Sequence, residues 1–214
     1  MYNNFMNQKS NYFTSLAKAI ITLFGENVHL ERGFPVQGGD INKSYGISLS
    51  NGNVLFMKSN EKANVDFFVK EANNLKAIAD TKTIATPKLL GLGTDEGEEV
   101  GYSFLLLDFV ELGNLDEKFW ENFALNLSNM HKAETKYYFS ENDFNKGLKF
   151  GFYENNYIGR TVQDNTPKKT WIDFFRDNRL IPQFKLAEKY FEKEDFSLID
   201  KLLTNIDKFL LEPE

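Results

Sequence analysis

The segment Val54-Leu-Phe-Met-Lys-Ser-Asn60, continued by Phe67-Phe-Val-Lys-Glu-Ala-Asn-Asn-Leu75, decides the fold. Side chains alternate along a strand, so Phe56 and Lys58 share one face. The second part has apolar residues at spacings of three and four, which predicts an amphipathic helix with Glu71 on its apolar side. Because leaving a buried charge unpaired costs about 3–5 kcal/mol, we predict an ion pair between Lys58 and Glu71. The alternative is that each charge reaches solvent at the edge of its own face.

Strand patterns flank this segment on both sides. Residues 28–36 and 45–49 precede it, and Asn51-Gly52 predicts a tight hairpin into the Lys58 strand. Residues 88–92 and 100–107 follow it. The last of these strands ends in three consecutive leucines, which is typical of a strand buried on both faces.

A pair of glycines lies between the first two of these strands, in Gln37-Gly38-Gly39-Asp40-Ile41-Asn42. Adjacent glycines let the backbone approach a ligand closely. We interpret the segment as a loop that covers phosphates, with an ordinary turn as the alternative.

The pattern changes from strands to helices after residue 108, so we expect two lobes, 1–110 and 111–214. A leading helix is predicted over residues 12–24. In the second lobe Asp116 is a candidate cap for a helix that runs to about His131, with Phe119, Phe123, Leu127 and Met130 inward. Residues 137–165 have little periodicity and many aromatic side chains, which indicates a functional segment, with plain core packing of the aromatic side chains as the alternative. A helical stretch begins at Trp171, and Asp195 is a candidate cap for a last helix with an apolar face of Ile199, Leu202, Leu203, Ile206, Phe209 and Leu210.

Composition excludes several classes of site and partner. The 214 residues include no cysteine, which excludes thiolate chemistry, disulfides and cysteine-ligated zinc, and fits a cytoplasmic location. A net charge of −6 without a Lys/Arg cluster argues against a nucleic-acid partner. No apolar run is long enough to cross a membrane. The residues present also suggest no metal site.

The most specific motifs are Gly38-Gly-Asp-Ile-Asn42, Phe56-Met-Lys-Ser-Asn60, Phe150-Gly-Phe…Asn156-Tyr-Ile-Gly159 and Trp171…Phe174-Phe-Arg…Arg179-Leu-Ile-Pro-Gln183. In these motifs the chain resembles the fructosamine (ketosamine) kinase family, a branch of the kinase-like phosphotransferases related to aminoglycoside phosphotransferases. The resemblance implies an α+β, protein-kinase-like fold. We expect a five-stranded antiparallel sheet with one helix in the N-terminal lobe, and a partial helical C-terminal lobe.

The resemblance also implies roles for individual residues. Lys58 corresponds to the lysine that contacts the phosphates of ATP, and Glu71 to the glutamate that positions it. Asp108, Phe109 and Val110 correspond to the hinge that holds adenine through backbone groups. In the second lobe Asn156, Tyr157 and Trp171 are expected to face the ketosamine substrate. The family phosphorylates the sugar 3-hydroxyl of ketosamines, so that the glycation adduct breaks down.

One departure from the family concerns catalysis. Family members continue into a His-Gly-Asp-Leu-Trp catalytic loop and a later Asp-Pro segment, which supply the catalytic and Mg²⁺-binding aspartates. Here neither His29 nor His131 is followed by Gly-Asp, and no Asp-Pro occurs. We therefore expect the catalytic residues beyond Glu214, and we expect this chain alone to be inactive.

Two rival functions remain open. A nucleotide-binding or scaffolding pseudokinase fragment fits Lys58 and Glu71 equally well. A relative of aminoglycoside or choline kinases fits less well, because it does not account for Asn156-Tyr-Ile-Gly159. Self-association through the apolar face of the last helix is a further expectation.

Overall fold

The computed structural model describes residues 11–37, 41–134, 138, 140, 143 and 145–213. The chain folds as two compact units, Met1–Glu134 and Thr135–Glu214. The lobe boundary expected after Val110 stays a prediction. None of the described helices is long and apolar enough to cross a bilayer.

The first unit is built on a sheet of six strands: β1 (Tyr12–Phe13), β2 (Leu30–Pro35), β3 (Lys43–Leu49), β4 (Val54–Glu61), β5 (Leu89–Asp95) and β6 (Tyr102–Asp108). Their order in the sheet is β1-β5-β6-β4-β3-β2. Strand β1 pairs with β5 in parallel, whereas all other pairs are antiparallel. The expected sheet of five antiparallel strands is therefore wrong in strand number and in arrangement.

The sixth strand comes from residues that the sequence placed in a helix. Tyr12–Phe13 is extended along β5, and helix α1 (Leu16–Phe24) begins only after it. Ser15 caps this helix, because its hydroxyl accepts a hydrogen bond from the Lys18 N–H at 3.1 Å. The Asp95 carboxylate, at the end of β5, accepts from the Leu16 N–H at 2.7 Å. These two acceptors set the start of the helix.

Two apolar clusters lie on opposite faces of the sheet. On one face α1 packs against strand side chains that include Met57 and Leu106. On the other face helix α2 (Val65–Asp80) contributes Phe68 and Ala72, which pack with Leu105 and other residues. Consecutive leucines of β6 thus point to opposite clusters, as predicted for a strand buried on both faces.

Helix α3 (Phe119–His131) completes the described secondary structure of the first unit. It begins three residues after Asp116, whose carboxylate accepts from the Lys118 N–H instead of capping the helix. The expected inward orientation is wrong for two positions, because Phe119 is 37% and Phe123 is 41% exposed.

The second unit contains a short antiparallel hairpin, β7 (Asn156–Ile158) and β8 (Thr161–Gln163), within the segment expected to be irregular. Helix α4 (Trp171–Phe175) continues into one turn of π-helix (Arg176–Leu180) and then into α5 (Ile181–Ala187). Helix α6 (Lys193–Thr204) begins at a reciprocal cap between Glu192 and Asp195.

The last predicted helix is shorter than expected. Helix α6 ends at Thr204 and a 3₁₀ turn, Ile206–Lys208, follows it. Of the predicted apolar face, Ile206 is buried, whereas Phe209 is 70% exposed. Self-association through this face stays a prediction.

Candidate functional site

Lys58 and Glu71 form the ion pair that the sequence predicted. The Lys58 ammonium lies 2.5 Å from a Glu71 carboxylate oxygen, and each side chain is 28% exposed. Lys58 lies in the middle of β4, opposite Leu105 of β6. Glu71 lies on α2 between the buried Phe68 and Ala72. Packing of the helix on the sheet therefore brings the carboxylate to the lysine.

The pair lies at the boundary between core and solvent. Phe56 precedes Lys58 on the same face of the strand and packs with the α2 cluster. An ammonium that is partly exposed and held in place by a carboxylate can bind an anion, because its position is fixed and part of it stays open to solvent. This arrangement suits a phosphate.

Only part of the glycine segment lies within the described residues. Gly38, Gly39 and Asp40 lie outside them, and Ile41 and Asn42 lie within them. The Asn60 amide nitrogen donates to the Asn42 side-chain oxygen at 2.6 Å and to the Ile41 carbonyl at 3.4 Å. The structure thus fixes Ile41 and Asn42 to the strand that carries Lys58.

The same Asn60 amide also reaches the start of α2. Its oxygen accepts from the Glu61 N–H at 2.7 Å and from the Asn64 side chain at 3.0 Å. Asn60 was part of a quoted motif but had no assigned role. The period-2 spacing from Lys58 was the signal that could have placed it on the same face.

The predicted hinge lies at the end of β6. The Asp108 carboxylate accepts from the Lys88 N–H at 2.5 Å, and the Asp108 N–H donates to the Lys88 carbonyl at 3.1 Å. The Phe109 ring lies 6.2 Å from the Phe34 ring, and Val110 is 60% exposed. Because the Asp108 side chain holds the neighbouring strand, any adenine contact expected here falls to backbone groups.

In the second unit the structure ties Asn156 to its surroundings. Asn165, 2% exposed, donates from its amide nitrogen to the Asn156 side chain and to the Glu154 carbonyl, both at 3.0 Å. Tyr157 lies opposite Val162 in the hairpin. The hairpin with Asn156 and Tyr157 is therefore fixed by a buried amide that sequence reasoning did not single out.

Trp171 lies at the first position of α4. Its ring packs against Phe150, Phe174 and Phe175, with ring centroids 5.4–6.1 Å apart. Its backbone N–H donates to the Glu212 carboxylate at 2.8 Å. These contacts place Trp171 in an aromatic cluster of the second unit, and its expected contact with substrate stays a prediction.

Arg179 of the π-helix completes this polar network. It donates to the Asn165 side-chain oxygen and to the Asp164 carbonyl, both at 2.6 Å, and it lies 4.4 Å from the Phe174 ring centroid. Burial lowers the pKa of the Arg179 guanidinium from its ordinary value. The neighbouring Asn178 is 4% exposed, and its side-chain oxygen has no hydrogen-bond partner within the described part of the chain.

The His, Asp and Glu side chains of the described part of the chain are not gathered into a metal-binding group of three or more. Within residues 11–37, 41–134, 138, 140, 143 and 145–213, no group of three His, Asp or Glu side chains is placed to hold a metal ion. Mg²⁺ in kinase sites is held by one or two carboxylates together with the nucleotide phosphates, so a group of three such side chains is not required for it.

The chain is similar to known proteins in sequence. The sequence model of a family described as fructosamine kinase matches residues 12–213. A probable ketoamine kinase of Synechocystis is 29% identical over 175 residues, which cover 82% of this chain and 54% of that protein. A chloroplastic protein-ribulosamine 3-kinase of Oryza sativa subsp. indica is 32% identical over 166 residues, 78% of this chain and 44% of that protein. The chain thus spans about half the length of these curated relatives.

Solved structures show the same fold. The crystal structure of a candidate fructosamine-3-kinase from Haemophilus somnus matches with a TM-score of 0.73 and 22% identity, over 91% of this chain and 61% of that one. A second candidate fructosamine-3-kinase, from Thermobifida fusca, matches with a TM-score of 0.71 and 22% identity, over 94% of this chain and 64% of that one. The kinase-like α+β fold is confirmed.

Proposed function

This chain belongs to the fructosamine kinase family, and from that premise we propose that its first unit binds the phosphates of ATP through Lys58, held by Glu71. The observation that carries the proposal is the 2.5 Å ion pair between them on neighbouring elements. In kinase-like folds a strand lysine paired with a helix glutamate holds the nucleotide phosphates. Ile41 and Asn42, with Gly38, Gly39 and Asp40, are proposed to cover the phosphates, and the backbone of Asp108, Phe109 and Val110 to hold adenine.

The reaction proposed for the whole protein is transfer of a phosphoryl group to the sugar 3-hydroxyl of a ketosamine. The names of the relatives, ketoamine kinase and protein-ribulosamine 3-kinase, support this substrate class. Asn156, Tyr157 and Trp171 are proposed to contact the sugar amine. Mg²⁺ accompanies ATP in kinases and neutralises phosphate charge. A role in deglycation and a cytoplasmic location stay predictions.

Nucleotide binding by this chain tests the proposal directly. We expect the 214-residue chain to bind ADP in the millimolar range, which corresponds to about −4 kcal/mol. Lys58→Met removes the ammonium and is expected to weaken ADP binding by about tenfold, the loss of one charge-assisted contact. Ligand-observed NMR titration is suited to this affinity range.

Lys62→Met is the matched control. Lys62 follows the same strand and pairs with the exposed Glu96 at 2.5 Å instead of with Glu71. ADP affinity should be unchanged in this variant. An equal loss of ADP affinity in the two variants would contradict the proposal. So would the absence of ADP binding by the wild-type chain at about 10 mM, tenfold above the expected dissociation constant.

A second candidate function is nucleotide binding without catalysis. The observation in its favour is that the 214 residues contain neither a His-Gly-Asp nor an Asp-Pro sequence. Lys58 and Glu71 fit this function too, so nucleotide affinity does not separate the two candidates. Formation of ADP in the presence of ATP and a ketosamine would favour the kinase over this second candidate.

A further inference from the structure

We propose that Asn60 is a positioning residue for the nucleotide phosphates, acting through Asn42. The inference rests on the proposed function of the first unit and adds a residue to which no role has been assigned. Asn60 stands two residues after Lys58 on β4, so the two side chains leave the strand on the same face. It is therefore adjacent to the group proposed to bind phosphate.

Every donor and acceptor position of the Asn60 side-chain amide is used in a hydrogen bond. A side-chain amide has two N–H donors and an oxygen with two acceptor sites. The nitrogen donates to Asn42 at 2.6 Å and to the Ile41 carbonyl at 3.4 Å. The oxygen accepts from the Glu61 N–H and from Asn64. Few other side chains satisfy two donors and two acceptors at one point, so this position is chemically specified.

The amide links two parts of the proposed site. On its nitrogen side are Ile41 and Asn42, which precede β3. On its oxygen side is Asn64, the residue before α2, the helix that carries Glu71. Asn60 thus fixes the Ile41–Asn42 backbone relative to both members of the ion pair. A phosphate bound to Lys58 would meet Asn42 at a fixed position.

The competing explanation is that Asn60 has a purely structural role. The two explanations predict different changes in ligand affinity when Asn60 is removed. If Asn60 positions groups around phosphate, its loss should weaken the binding of ADP and leave adenosine unaffected, because adenosine has no phosphate. If Asn60 only stabilises the first unit, both ligands should be affected alike or not at all.

The experiment is a double-mutant cycle on the whole chain with ADP and adenosine as probes. Asn60→Ala and Asn42→Ala are each expected to weaken ADP binding about three- to tenfold, the range of one or two net hydrogen bonds. The double variant should bind ADP no more weakly than whichever single variant binds it less tightly. Both substitutions remove the same hydrogen bond between Asn60 and Asn42, so their effects should not add. Adenosine affinity should stay within about twofold in all variants, which is below the effect of one hydrogen bond.

Asn64→Ala is the matched control, because it breaks the Asn60 amide on the helix side and leaves the Asn42 contact in place. Its effect on ADP should be smaller than that of Asn42→Ala. Asn42→Ala also keeps the test valid if Asn60→Ala fails to fold, since it removes the link without removing the central amide.

The results separate this proposal from the proposed function. Wild-type binding of ADP together with unchanged ADP affinity in Asn60→Ala and Asn42→Ala would overturn the role of Asn60 alone. Additive losses in the double variant, or equal losses for adenosine, would overturn it as well. Wild-type chain that binds neither ligand would overturn both proposals.

Discussion

Tyr102 titrates far from its ordinary range because of where β6 places it. Burial, and next the charge of the neighbouring Asp95, raise the pKa of the Tyr102 phenol to about 12 from 10.0. The folded pKa thus lies above the unfolded one. The neutral phenol contributes its full stability below about pH 10, and this contribution is lost as the pH rises toward 12.

Tyr102→Phe tests this pH dependence. Phenylalanine does not ionise, so the variant is expected to lose less stability than the wild-type chain between pH 10 and 12. Urea unfolding at several pH values measures the free energy of unfolding of both proteins. The two proteins differ only in this phenol, so parallel curves of unfolding free energy against pH would contradict the raised pKa of Tyr102.

The sequence allowed the contacts of some single residues to be predicted and not those of others. The Lys58–Glu71 pair was predictable, because strand and helix periodicities placed two charges on inward faces. The roles of Asn60, Asn165 and Arg179 were not. Asn60 bonds to residues 18 and 19 positions away, and Asn165 and Arg179 are 14 positions apart, and no periodicity marks an amide that bonds across such distances.

The start of helix α1 depends on a residue of strand β5. The Asp95 carboxylate accepts from the Leu16 N–H at 2.7 Å, at the positive end of the helix. Asp95→Asn keeps the shape and an acceptor oxygen but removes the charge. We expect this change to lower the free energy of unfolding by about 1 kcal/mol.

The control for this prediction is Asp80→Asn. Asp80 pairs with Lys76 one turn earlier in α2, at 2.7 Å, and such pairs contribute about 0.3–0.5 kcal/mol. Denaturant unfolding compares the two variants. If Asp95→Asn costs no more than the control, the strand carboxylate does not stabilise the helix start.

The sequence predicted the bounds of some helices and strands better than those of others. Helix α2 and the strands around it were predictable because their periodicity is sustained over many residues. Strand β1 could not be predicted, because two residues carry no alternation and the apolar pattern of the following helix extends over them. Helix α3 starts late because Asp116 uses its carboxylate in a local turn.

For the whole molecule, the prediction concerns turnover. We expect the 214-residue chain to form no measurable ADP in the presence of ATP, Mg²⁺ and a ketosamine. Phosphoryl transfer depends on groups that orient the hydroxyl and hold the metal, and loss of a general base alone costs about 10²–10⁴-fold. A longer ketosamine kinase assayed alongside is the positive control. Turnover within about tenfold of that enzyme, or roughly 1.4 kcal/mol of barrier, would contradict the prediction.

The fold of the whole molecule could be predicted in class but not in detail. The resemblance indicated a kinase-like α+β fold, which the solved structures confirm. The parallel edge strand was not predictable, because its register is set by backbone pairing with Leu92 and Gly93 and not by a side-chain pattern.

That edge strand has a consequence for how the protein behaves in solution. An exposed strand edge is a template on which another chain can add, and aggregation begins at such edges. Tyr12–Phe13 occupies the open side of β5, where a Cβ added at Gly93 would overlap the backbone of Phe13. The β5 edge thus has glycine residues whose backbone another strand can approach closely, within an apolar strand. Tyr12 and Phe13 therefore cover the β5 edge, and a fragment that begins after Phe13 would leave that edge open to pairing with another chain and would lose one side chain that packs against the core.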